Sequence, residues 1–376
     1  MKFKLSNPIY YLLVVGVAAI VAELLHADPI LIFILSAIGL IPLAKLIGEA
    51  TEELAIYTGP KFGGLLNATL GNAAELIIAI FAIQAGLLDL VRASITGSII
   101  GNLLVVLGAS LLLGGLKNGT QIFDRRSAGL NATLLILAVV ALAIPSLFDP
   151  GLATNPESEL LFNEGVAVIL ITLYVLSVLY SFRVGKPAEV HIDEGTSEVA
   201  AVNRKPAVVH EARWTRRFSV IMLILATVGT AIVSETLVGA VEPVTQQLGL
   251  TEFFLGIIII PLVGNVAEHL VAVQVAIKNK MELSLAVSLG SSLQVALLVA
   301  PVLLFISLLM GQRLLLVFNE YELITLIGAS IIAAFIAQDG ESNWLEGAML
   351  LAVYLIVALA FFFLPGAVEA APALVH

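Results

Sequence analysis

The chain has 376 residues, of which 60% are hydrophobic and 12% charged, against about 45–50% and about a quarter in an ordinary soluble domain. At a mean hydropathy of +1.06, so few charges cannot cover a soluble surface, which excludes a cytosolic enzyme, a nucleic-acid binder and a disordered chain. What remains is an all-α polytopic membrane protein with 28 acidic and 18 basic side chains, a net charge of −10, and no cysteine for a disulfide or a thiolate metal site.

Apolar runs of about 20 residues, the length that crosses the hydrocarbon layer, recur eleven times. They lie near 8–26, 29–57, 62–86, 88–115, 127–147, 160–183, 217–241, 250–278, 281–310, 315–337 and 343–364. The first follows Lys2 and Lys4 like a signal peptide. Its Glu23-Leu-Leu-His26 end is a poor cleavage sequence, so it is read as a retained span. A cytoplasmic N-terminus places 16 of the 18 basic residues inside, leaving only Arg92 and Arg313 outside, as the positive-inside rule requires. The expected organisation is an N-terminal span (1–28), five helices (29–183), a polar cytoplasmic linker (184–216), five more helices (217–365) and a tail (366–376). Within the linker Glu189, Asp193, Glu194 and Glu198 precede a basic stretch. That pattern fits a solvated connection, with a cation-sensing helix as the alternative.

The two five-helix halves match at an offset of 193. Gly63, Gly71, Asn72, Ala74, Glu75, Ala79, Leu90, Ala93, Gly97 and Ser98 recur as Gly256, Gly264, Asn265, Ala267, Glu268, Ala272, Leu283, Ala286, Gly290 and Ser291, 10 identities in 36 ungapped positions. Apolar bias would repeat Leu, Ile and Val, not Gly-Asn-x-Ala-Glu. Five is odd and the linker stays inside, so the halves enter the membrane from opposite sides. That is the inverted-repeat plan of secondary transporters, whose site lies where the repeats meet.

Glu75 and Glu268 fall inside the third and eighth spans. A carboxylate at mid-bilayer costs about 2.5–3.5 kcal/mol on insertion scales. One such Glu could be a protonated structural carboxyl; two at equivalent places argue for function. Gly71, Asn72, Gly264, Asn265 and Pro261 interrupt these spans, and loosened backbone is tolerated where it lines a polar cavity. Asn72 and Asn265 stand three residues before each Glu, which predicts one shared helical face of carboxylate and amide oxygens. Such hard donors suit Ca²⁺. Two carboxylates neutralise one divalent cation or take up two protons, so metal and protons compete for the same oxygens. Ser98, Asn102, Ser291, Ser292 and Gln294 form a second polar set in the following spans, expected to line the cavity. His269 follows Glu268 and breaks the repeat symmetry as a proton relay, wall donor or packing residue. Asp89 and Glu282 read as charges at helix N-termini, with attraction of cations as the alternative.

The stretch Ala50-Thr51-Glu52-Glu53-Leu54 with Gly63 to Leu76 resembles the first signature of the Ca²⁺/H⁺ exchanger family. Pro261-Leu262-Val263-Gly264-Asn265-Val266-Ala267-Glu268-His269 resembles the second, and Gly97-Ser98, Gly290-Ser291-Ser292-Leu293-Gln294 and Ser234-Glu235 resemble companion segments. The resemblance implies Glu75 and Glu268 as the cation and proton site, Glu52, Glu53 and Glu235 as gating or access residues, and an acidic cytoplasmic helix between the halves. It also implies rocking of gating helices near 8–57 and 160–241, and proton rather than sodium coupling. The expected partners are Ca²⁺ and protons within a lipid bilayer, here a prokaryotic plasma membrane, with no nucleic acid. No cofactor is expected beyond the transported ions. Mn²⁺/H⁺ exchange and Na⁺ coupling are the alternatives. An intramembrane metal enzyme is more remote, because five histidines form no His-Glu-x-x-His cluster.

Overall fold

Turn and capping residues set the helix ends where hydropathy alone would run on. The computed structural model describes residues 8–184 and 212–364, with the side chains of 60–62, 64, 65, 67, 68, 181–184 and 267 left aside. The acidic part of the linker, Lys2, Lys4 and the tail 366–376 lie outside the described residues. The helices are α1 (Pro8–Leu24), α2 (Pro29–Leu70), α3 (Ala73–Gln84), α4 (Leu88–Asn118), α5 (Arg125–Leu152) and α6 (Pro156–Val184). In the second half come α7 (Arg216–Leu248), α8 (Glu252–Gly264), α9 (Val266–Ile277), α10 (Met281–Leu309), α11 (Glu320–Asp339) and α12 (Trp344–Phe363).

Among the described residues eight of these contain stretches of 20 to 33 residues long and apolar enough to cross a membrane singly, and the bent pair α8–α9 is long and apolar enough to make a ninth. The short α1, and α3 with the 60–70 end of α2, complete the eleven spans. Helix α2 kinks at Gly59, whose φ of +80° favours glycine. Asp124 caps α5, accepting from the N–H groups of Arg126 and Ser127. Asn319 with Glu322 and Asn343 with Glu346 form capping boxes at α11 and α12. Asp89 and Glu282 lie in the first turns of α4 and α10, as expected of N-terminal charges.

The tenth span begins later than hydropathy suggested. Residues 312–319 are extended, with Leu314, Leu316 and Phe318 buried in alternation. Their N–H groups donate to Ser307 Oγ (3.1 Å), Asn163 Oδ1 (2.8 Å) and Ser146 Oγ (2.8 Å). Side chains from α5, α6 and α10 thus satisfy a backbone that could not be buried unpaired. On the opposite side β1 (Gln121–Ile122) pairs antiparallel with β2 (Glu341–Ser342), joining the α4–α5 and α11–α12 connections.

Because lipid is as apolar as the side chains, helix association depends on close packing at small residues. Helix α4 is the most enclosed span, 72% buried against 22% for α6 and α12, and it contacts α8, α9, α10, α11 and α12. A Cβ on Gly97 would lie 2.1 Å from the Ile257 carbonyl oxygen, and one on Gly256 would lie 2.7 Å from that of Leu90. The α4 and α8 backbones therefore touch at both ends of one contact. The large core runs from Ala22 near the end of α1 through to α12. A smaller cluster of Tyr10, Leu46, Ile47, Ala73 and Ala226 joins α1, α2, α3 and α7. Helices α2 and α7 pack along each other with α1 beside them, whereas α6 packs on α5 and α10. The expected gating set of 8–57 and 160–241 is thus divided: its α6 part lies against the other group.

The repeat-equivalent glycines Gly97 and Gly290 differ, since nothing lies within 4 Å of a Cβ on Gly290. Gly97→Ala should force α4 and α8 apart, costing at least the roughly 1–3 kcal/mol of core overpacking and sharply reducing the yield of monodisperse protein. Gly290→Ala should be neutral or stabilising by up to about 1 kcal/mol. Size-exclusion profiles and thermal unfolding of the two variants make the comparison.

Candidate cation and proton site

The two Gly-Asn-x-Ala-Glu segments break their spans at the same residue. Asn72 has φ −94° and ψ 19°, and Asn265 has φ −96° and ψ 4°, both in the sparsely populated bridge region. Each new helix starts on the next residue, so Glu75 and Glu268 occupy the third position of α3 and α9. The unpaired N–H groups of these starts place partial positive charge beside each carboxylate. The expected shared face of one continuous helix is therefore corrected: Asn and Glu flank a break. Neither Asn side chain caps its own helix.

Both amides reach across to the opposite repeat. Asn265 Nδ2 donates to Ser98 Oγ at 3.3 Å, and Ser98 Oγ donates to Glu75 Oε1 at 2.6 Å. In the mirrored half, Asn72 Oδ1 accepts from Ser291 Oγ at 3.5 Å, and Ser291 accepts from Asn102 Nδ2 at 3.0 Å. Asn72 Nδ2 donates to Gln294 Oε1 at 2.8 Å. A Cβ on Gly264 would meet Glu75 Cγ at 2.9 Å, so that glycine makes room for the carboxylate of the other repeat. Glu75 Oε2, Glu268 Oε2 and His269 Nε2 are buried without a hydrogen-bond partner. An unpaired buried carboxylate oxygen carries its full desolvation penalty. Two of them, with amide and hydroxyl oxygens alongside, form a hard-donor set that a proton or a divalent cation would relieve. Among the described residues no group of three or more His, Asp or Glu side chains gathers to hold a metal.

The structure thus brings together Glu75, Glu268, Asn72, Asn265, Ser98, Asn102, Ser291 and Gln294, with Gly71 at the first break and Gly264 against Glu75. Ser292 departs from expectation. It is buried and donates to the Ser288 carbonyl one turn back at 2.9 Å, bonding within its own helix rather than across the site. Nor do the three access candidates converge on the site. Glu235 and Glu52 are exposed on α7 and α2. Glu53 is buried and holds the end of the linker: Oε2 accepts from the N–H groups of Arg213 (2.8 Å) and Trp214 (3.1 Å), and Oε1 accepts from Arg213 Nε (3.0 Å).

Two features escaped sequence reasoning. The helix widens to π geometry at Gly101–Val106 in α4 and Val295–Val299 in α10, again about 193 residues apart, within one turn after the two Gly-Ser pairs. Such turns free a carbonyl and recur at functional sites, but apart from Asn102 their sequences are apolar and do not announce the change of geometry. Glu322 is a further buried carboxylate, held by Thr96 Oγ1 at 3.0 Å and by the Asn319 N–H at 2.9 Å. Its signal was present, since Asn-x-x-Glu ahead of an apolar run is a capping box.

Comparison with known proteins gives a consistent picture. A family signature described as "Sodium/calcium exchanger protein" matches residues 28–183 and 218–363. The Ca²⁺/H⁺ antiporter of Aphanothece halophytica is 44% identical over 96% of this chain and 98% of its own length. The Ca²⁺/H⁺ antiporter ChaA of Bacillus subtilis is 41% identical over 95% of this chain and 100% of its own. The solved structure of native YfkE superimposes with a TM-score of 0.81 at 38% identity, covering 95% of this chain and 100% of that one.

Ser98→Ala removes the hydroxyl that links Asn265 to Glu75. A hydrogen bond to a charged group contributes about 1.5–3 kcal/mol, so affinity for Ca²⁺, read as the cation-induced rise in thermal stability, should fall about tenfold or more with the fold retained. Glu53→Ala should release the linker end, giving faster tryptic cleavage after Arg213 while the unfolding temperature stays within a few degrees.

Proposed function

Because the chain belongs to the sodium/calcium exchanger protein family, we propose that it is an integral membrane antiporter that exchanges Ca²⁺ for H⁺ by alternating access. The relatives named Ca²⁺/H⁺ antiporters match it over nearly its whole length at 41–44% identity. The observation that carries the mechanism is the pair of unpartnered carboxylate oxygens on Glu75 and Glu268, presented by half-helices of opposite repeats and joined by crossed Asn–Ser hydrogen bonds.

In this reading Glu75 and Glu268 bind Ca²⁺ or protons, never both in full. With both carboxylates ionised the site carries two negative charges, which one Ca²⁺ or two protons cancel, and only a cancelled site is cheap to carry through a low-dielectric barrier. Ser98 and Ser291 hold the carboxylates and amides in register. Asn72 and Asn265 contribute amide oxygens, while Asn102, Gln294 and His269 line the wall. Gly71 and Gly264 give the backbone its break and its clearance. The small cluster of α1, α2 and α7 supports a separate moving group. Glu53 acts there by anchoring the linker to α2, while Glu52 and Glu235 remain access candidates at the surface. The halves are 29–183 and 217–365, preceded by the span 1–28, joined by 184–216 and followed by the tail 366–376. The two matches at 28–183 and 218–363 support that division. Membership of a transporter family argues for transport rather than enzymatic turnover, and bacterial relatives argue for a plasma-membrane location with the N-terminus in the cytoplasm.

Vesicles containing the purified protein should take up Ca²⁺ when their lumen is acidic, equally well with and without Na⁺. Uptake indifferent to the pH gradient would overturn the reading. Glu75→Gln and Glu268→Gln should each lower exchange at least a hundredfold, while inserting and purifying like the parent.

A further inference from the structure

The cytoplasmic end of α7 carries three arginines within five residues, Arg213, Arg216 and Arg217, and they have different surroundings. Arg213 is exposed but paired, held by the buried Glu53 through its backbone and its guanidinium. Arg216 and Arg217 are exposed, and neither takes part in an ion pair among the described residues. One turn further on, Val220 and Ile221 are 38% and 54% exposed on the same helix faces. The four side chains, all from one helix, bound a shallow, open surface groove of about 430 Å³. Beside it Trp214 packs edge-on against Phe218, centroids 5.2 Å apart at 87°, the position of an aromatic anchor at the headgroup level.

Two permanent cations above an apolar trough, at the boundary between cytoplasm and bilayer, form a surface with two chemistries stacked in depth. A soluble anion would use the guanidinium groups and leave Val220 and Ile221 uncovered. A neutral lipid would cover the trough and leave the charges unpaired. We propose that this crevice binds an anionic phospholipid, its phosphate held between Arg216 and Arg217 and an acyl chain lying along Val220 and Ile221. Within this arginine cluster the unpaired charge is confined to Arg216 and Arg217, because the neighbouring Arg213 is already neutralised by Glu53. Since α7 packs along α2, a lipid seated here fixes the cytoplasmic end of α7 to the membrane. The inference is independent of the transport reading.

The protein has two tryptophans, so a Trp344→Phe background leaves Trp214 as the sole reporter beside the crevice. It is reconstituted into phosphatidylcholine vesicles containing either brominated phosphatidylglycerol or the same amount of brominated phosphatidylcholine. Two arginines at the surface should enrich the anionic lipid up to about thirtyfold at the site, read as stronger quenching of Trp214 by the brominated phosphatidylglycerol. Equal quenching by the two lipids would overturn the proposal. Arg216→Gln with Arg217→Gln should abolish the preference. Val220→Phe, which fills the trough and keeps both charges, should abolish it as well; a preference surviving in that variant would mean bulk charge attraction and no built site. Glycerol phosphate in solution should not reverse the quenching; reversal would make the occupant a soluble anion and sink the lipid assignment. All four positions are at the surface, so monodispersity and the unfolding temperature confirm that each variant is folded.

Discussion

Two carboxylates buried near one another in a low-dielectric interior are the constraint on which the rest of the molecule depends. Their repulsion and lost hydration would together destabilise any uninterrupted helical bundle that carried them. The protein answers with backbone geometry rather than counter-charges, since no arginine or lysine is paired with either group among the described residues. Breaking each span at Gly-Asn creates a fresh helix start, and a helix start is a fixed partial positive charge that cannot be titrated or displaced. The breaks leave amide side chains uncommitted to capping, and these reach the opposite repeat. The glycines between α4 and α8 then bring the two repeats close enough for those reaches to close.

Much of this was legible in the sequence because the chemistry is carried by residue types that apolar bias cannot generate. Glu75, Glu268, both asparagines and the Gly-Ser pairs stood out by recurrence at one offset. Their gathering into one network follows from the inverted topology that odd helix counts imply. The spans were equally readable, since length and hydropathy fix a membrane helix more firmly than propensity fixes a soluble one. Legibility failed where local sequence is degenerate. Arg313 to Phe318 are apolar enough to be helix, yet Asn319 starts α11 and side chains from three other helices satisfy the extended backbone before it. Ser292 looked like a wall residue because it adjoins Ser291, but helical rotation turns it toward its own preceding turn.

Glu53 marks a different limit. As a carboxylate beside Glu52 in a signature-like stretch it suggested a gating or access role, and it is buried deeply enough to be notable. Its oxygens are instead filled by two backbone N–H groups and one guanidinium from the far end of the linker, 160 residues away. Sequence can nominate an acidic residue, but a partner supplied by a distant connection becomes visible only when the fold brings it near. Pairing likewise separates the arginines of this region, which look alike when read in order: Glu53 takes Arg213, while Arg216 and Arg217 join no ion pair among the described residues.

The crossed Asn–Ser bonds have a consequence for how such a molecule can be assembled. Asn265 finds its serine at Ser98 and Asn72 finds its serine at Ser291, so neither five-helix unit furnishes the partner for its own amide. A single unit set free in the membrane would be half of a lock. Completion requires a second unit inserted upside down, in equal number and at the same place. The polar connection between residues 184 and 216 secures that pairing: it fixes the stoichiometry at one to one and makes the antiparallel arrangement a property of the chain, not of a chance encounter between subunits.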